Sequence, residues 1–117
     1  MTGGSPRALN RPMQVQLNTD HNIDGVEALG AHVTAVLEDS LERFAHQISR
    51  VEVHLSDESG GKGGDESVRC MMEVRIDGHQ PIAVTDHSGS VHQAIAGATT
   101  KVEHAVDHLL GRIRPAH

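Results

Sequence analysis

Residues 51–76, VEVHLSDESGGKGGDESVRCMMEVRI, decide how this chain folds. In the first arm Val51, Val53 and Leu55 alternate with Glu52 and His54. In the second, Val68, Cys70, Met72, Val74 and Ile76 alternate with Arg69, Glu73 and Arg75. Successive side chains of a strand point to opposite faces, so strict period-two alternation predicts two half-buried strands. The intervening SDESGGKGGDE carries four glycines and mixed charge and has no apolar face to bury, so it reads as a flexible hairpin loop.

Upstream, Met13, Val15 and Leu17 alternate with Gln14, Gln16 and Asn18 as a first strand. A first helix is predicted over 24–46. Asp24 suits an N-cap, with Glu27 three residues on as its capping-box partner. Val26, Leu29, Val33, Val36, Leu37, Leu41 and Phe44 then step by threes and fours along one face. From Asp24 to Ser49 there are five acids and one base, so this helix is acidic.

Downstream, Asp77-Gly78 predicts a tight turn of the two-residue hairpin kind. Residues 80–85 form a fourth strand with Pro81 near its start, where a missing backbone donor is tolerated. The Ser88-Gly89-Ser90 stretch caps a second helix over 90–110, whose apolar positions are Val91, Ile95, Ala98, Val102, Ala105 and Leu109. Gly111 is the expected helix C-cap and Pro115 a stop. The order is therefore β-α-β-β-β-α, an α+β fold. Strand 1 should lie parallel to strand 2 through the helical crossover, strands 2 to 4 antiparallel, and both helices on one face of a four-stranded mixed sheet.

The chain has 117 residues, enough for one core and not two. Residues 1–12, MTGGSPRALNRP, show no periodicity and read as a disordered leader. The ordered domain is expected over 13–113, with 114–117 as a tail. With no Trp or Tyr and only Phe44, the core must be aliphatic. A formal charge of -6 is the reverse of what a non-specific phosphate binder needs, and no DNA partner is expected. One cysteine, Cys70, excludes an internal disulfide and a multi-cysteine zinc site. No membrane-length apolar run or signal-like segment is present, so the expected setting is cytoplasmic and away from membranes.

Catalytic signatures are missing. GGKGG at 60–64 lacks the Ser or Thr after the lysine and the helix that a phosphate loop needs. Cys70 lies on an apolar strand face as a small hydrophobe. His104 and His108 are four apart on the second helix, a metal-ligand spacing without a third donor, so no cofactor or metal is expected. The same two histidines join Lys101 and Arg112 in one outward stripe at steps of three, four and four. That stripe could meet phosphate, and it gains charge as pH falls through the histidine range.

The β-α-β-β-β-α order, with RVEVHLSDESGGKGGDESVRCMMEVR in the hairpin and QPIAVTD in strand 4, resembles the ribosome hibernation-promoting factor and ribosome-associated inhibitor A family. Its members are often labelled sigma-54 modulation proteins. The resemblance covers about residues 13–113. It implies a dsRBD-like fold and a non-enzymatic factor that binds ribosomal RNA of the small subunit near the tRNA and mRNA path and silences idle ribosomes. It is to the short forms, since too little chain follows Arg112 for the C-terminal dimerisation domain of the long ones. The positions it carries over are Lys101 and Arg112, then Arg43 and Arg50, with His104 and His108 in the same stripe. Where family members present Lys and Arg along both helices, this chain has Glu38, Asp39 and Glu42 on the first. A regulatory protein-interaction module on the same fold is therefore the alternative, with an enzyme or metal protein as the third class.

Overall fold

The computed structural model describes residues 13–21, 23–58 and 67–111. The leader, the tip of the hairpin loop, Arg112, Pro115 and the tail lie outside the described residues. The element order is β1 (Gln14–Thr19), α1 (Val26–Ser40), a 3-10 segment (Glu42–Gln47), β2 (Ile48–Asp57), β3 (Val68–Ile76), β4 (Ile82–Ser88) and α2 (Val91–Leu110). The strands form one sheet in the order β1-β2-β3-β4. β1 runs parallel to β2, and the other two pairings are antiparallel.

The alternation in the hairpin arms becomes the two faces of this sheet. Val51, Val53 and Leu55 sit opposite Val74, Met72 and Cys70 and are buried with them. α1 lies over β1, α2 lies over β3 and β4, and the helices touch each other along one side of the sheet. Leu29, Val33 and Leu37 from α1 and Ile95, Ala98, Val102 and Val106 from α2 complete the aliphatic core.

Several boundaries differ from expectation. Gly25, with φ 68°, precedes the first helical residue, so the helix begins beyond the reach of an Asp24 cap and no side chain caps it. Val26 in its first turn stays 42% exposed. The α-helix stops at Ser40, well before the expected 46. A 3-10 segment then carries the chain round, with the Phe44 N–H donating to the Leu41 carbonyl. Leu41 and Phe44 still reach the core, although no continuous helix delivers them.

In α2 the buried face is turned by about one residue. Val106 and Leu110 are fully packed, whereas Ala105 and Leu109 are half-buried. Gly111 is right-handed at φ -66° and continues the helix instead of capping it in the left-handed form. At the other end Ser90 does cap, its Oγ accepting from the Gln93 N–H at 3.2 Å.

The turn at Asp77-Gly78 is present, with Gly78 at φ 79° and the His79 N–H donating to the Ile76 carbonyl. It is not a two-residue hairpin, because the β3–β4 ladder resumes only at Val74 opposite Ile82. β4 accordingly starts after Pro81, later than expected, and runs on to Ser88.

Candidate nucleic-acid interface

Lys101 of the helical stripe is exposed, and its charge is paired. The Lys101 Nζ donates to the Thr85 carbonyl at 2.7 Å and lies 3.3 Å from an Asp86 carboxylate oxygen. Both partners belong to β4, so this side chain ties α2 down onto the sheet edge. Asp86 has room because Gly97 is opposite: a Cβ there would come within 2.4 Å of its carboxylate. Ser88 donates a further hydrogen bond to Asp86 at 2.9 Å. His104 and His108 are exposed on α2.

Arg43 is brought to the same helix by an ion pair with Asp107, and its guanidinium stacks 4.6 Å above the Phe44 ring. The pair bridges the 3-10 segment to α2. Arg50 goes elsewhere. It projects from β2 on the sheet face away from the helices, with Nε 2.9 Å from Glu52 and Nη2 donating to Gln16. Lys101, His104, His108 and Arg43 therefore lie on the helical side, and Arg50 lies on the opposite face of the sheet.

Beside Arg50, the sheet face away from the helices carries two further cations, Arg69 and Arg75, that the candidate residues did not include. Its centre is a row of cross-strand neighbours. Arg50 faces Arg75, Glu52 faces Glu73, His54 faces Met71, and Arg69 lies between Ser56 and His87. Arg75 is 3.6 Å from Glu73, and His54 is 3.8 Å from Glu52. Arg69 makes no ion pair among the described residues. The signal was available in the polar positions of the two hairpin arms, which fall on one sheet face by the same alternation that buries the apolar ones.

Other chemistry finds little support. Cys70 is buried, and burial with the charge of Asp86 pushes its thiol up to about 12, so it holds its proton. No group of three or more His, Cys, Asp or Glu among the described residues could hold a metal ion. The His32 and His92 rings meet 4.8 Å apart beside an open cavity of about 300 Å³ between the starts of the helices, and among the described residues they belong to no group of three that could hold a metal ion. GGKGG lies outside the described residues. No helix among the described residues is long and apolar enough to cross a membrane.

A four-stranded mixed sheet with two helices on one face also describes two solved structures. The N-terminal domain of Thermus thermophilus Protein Y shares 20% identity with this chain, with a TM-score of 0.61 over 86% of this chain and 98% of that one. A ribosomal subunit interface protein from Coxiella burnetii shares 16% identity, with a TM-score of 0.62 over 83% and 97%. At these identities the likeness is one of fold. No curated protein matches the sequence. The family model described as sigma 54 modulation protein / S30EA ribosomal protein matches residues 18–114. The chain belongs to that family.

Proposed function

We propose that this chain is a non-enzymatic, cytoplasmic, ribosome-associated factor. It docks on the small ribosomal subunit through ribosomal RNA and restrains translation under stress or in stationary phase. The observation that carries this reading is the family match across nearly the whole folded region, residues 18–114. The fold shared with a protein named for the ribosomal subunit interface supports it.

The chain's acidity favours a second reading, in which it binds a protein partner and has lost affinity for RNA. Sedimentation of the purified protein with small subunits, together with its effect on a cell-free translation reaction, separates the two. Co-sedimentation with dose-dependent inhibition is expected. Absence from the ribosomal fraction even at low salt would leave the protein-partner reading in its place.

A further inference from the structure

The two edges of the sheet differ in how they are protected. β4 follows Pro81, α2 lies along it, and the Lys101 Nζ takes its Thr85 carbonyl. β1, QVQLNT, has none of the devices that keep a sheet edge from pairing: no charge, proline or glycine, and no break in its register against β2. The Asp20 N–H donates to the Leu55 carbonyl, so by the alternation of a parallel ladder Gln14, Gln16 and Asn18 also bond β2. Val15, Leu17 and Thr19 therefore turn their N–H and C=O groups outward, where no strand among the described residues takes them. Beside this edge lies an open cleft of about 610 Å³, lined by Met13 and Val15 on the sheet side and by Thr34 and Glu38 of α1. Val15 and Leu17 are only half-buried along it. Acids surround the edge. α1 carries Glu27, Glu38 and Asp39 and no Lys or Arg, with Asp20 and Asp24 in the connection ahead of it. Arg50 reaches the cleft from β2, and it is paired with Glu52.

We propose that the outer edge of β1 docks an extended basic segment of a partner protein, which adds to the sheet as a fifth strand. The six residues of β1 offer about 20 Å of edge for main-chain pairing. Lys or Arg at alternate positions of the added strand lay their stems along Val15 and Leu17 and bring their charges to the α1 acids. The positions between them lie beside Gln14, Gln16 and Asn18, which suits uncharged polar residues. A second copy of this chain fits less well. Two-fold pairing of β1 with its copy brings two α1 flanks together, Glu27 and Glu38 of each included, on molecules that each carry a charge of -6. The contact is independent of the ribosomal reading, because it involves neither RNA nor the cations of α2.

The probe is a short synthetic peptide of alternating threonine and lysine, compared with one of alternating threonine and glutamate. Binding to the full chain is followed through the exchange of its backbone amide hydrogens, resolved by nuclear magnetic resonance. At saturation the lysine peptide is expected to slow exchange at Val15, Leu17 and Thr19 by at least about tenfold. Gln16 and Asn18, already bonded to β2, should change by less than about twofold. The glutamate peptide is expected not to bind. A Glu27→Lys/Glu38→Lys variant should bind the lysine peptide at least about tenfold more weakly, with thermal melting as the check on its fold. Slowing confined to other residues, equal binding of the two peptides, or no saturable binding would each overturn the proposal. Protection of Val15, Leu17 and Thr19 that grows with protein concentration in the absence of peptide would overturn it as well, by placing a second copy on this edge.

Discussion

Lys101 on α2 and Asp86 on β4 form an ion pair 3.3 Å long across the edge of the sheet, and Gly97 is the residue that makes space for it. The lysine also holds the Thr85 carbonyl, so one side chain satisfies a strand carbonyl and an acid that faces the helix. Gly97 is otherwise a poor residue for the interior of a helix, where alanine is better by about 1 kcal/mol.

Gly97→Ala should nevertheless lower stability by about 0.5–2 kcal/mol, because the new Cβ would fall 2.4 Å from an Asp86 oxygen and force the carboxylate off its partners. In an Asp86→Ala background the same change should stabilise, by up to about 1 kcal/mol, since the obstruction is gone and the helix preference remains. Urea midpoints for the four proteins of this cycle measure the coupling. Equal effects in both backgrounds would mean that Asp86 does not press on the helix.

The strands and their order were readable because alternation and turn chemistry act locally. Val51, Val53 and Leu55 face the core for reasons contained within a few residues. What was not readable depends on where elements end against one another. Asp24 and Glu27 satisfy a capping pattern, but Gly25 takes the left-handed position and the helix begins after it. Lys101 looks like an outward cation on a helical wheel, yet its flexible stem reaches Asp86, a residue fifteen positions away that no helical pattern brings near. Arg69 and Arg75 were visible as polar strand residues. Alternation alone puts both on one face of β3, and the register adds which residues of β2 and β4 lie beside them.

The α1 face makes a prediction from contrast. Leu37 is fully buried while Val26, on the same helix, is 42% exposed. Leu37→Ala should cost about 2–5 kcal/mol, from lost burial and the cavity left behind. Val26→Ala should change stability by less than about 0.5 kcal/mol, as surface substitutions usually do. Denaturant midpoints decide it, and comparable losses at the two sites would mean that α1 packs through a different face.

Thr99 offers a stabilising change. It is buried on α2 with only 4% of its surface exposed, and its hydroxyl has no hydrogen-bond partner among the described residues. A buried hydroxyl without a partner is destabilising by about 1–3 kcal/mol relative to a satisfied one. Thr99→Val keeps the shape and removes the orphaned group, so the melting temperature should rise, with a gain of about 1 kcal/mol. A fall on making this change would reveal a partner for the hydroxyl in solution, a bound water being the simplest.

Cys70 gives the fold an alkaline limit. Its thiol is fully enclosed opposite Asp86 on β4, and burial, followed by the Asp86 charge, pushes it from 9.0 up to about 12. The unfolded chain exposes the same thiol at its ordinary value, so between these limits the unfolded state loses the proton and the native state keeps it. The stability this contributes is complete below about pH 9 and is lost as pH rises through the native value, at about 1.4 kcal/mol per pH unit within that window. Unfolding free energies measured over this range should fall more steeply for the unaltered chain than for Cys70→Ala, which has no thiol to titrate. Thiol reagents should likewise modify Cys70 only in denaturant, because reaction needs the thiolate and access to it. Matching alkaline slopes for the two proteins, or rapid labelling of the folded chain, would show that the thiol is not held protonated between β3 and β4.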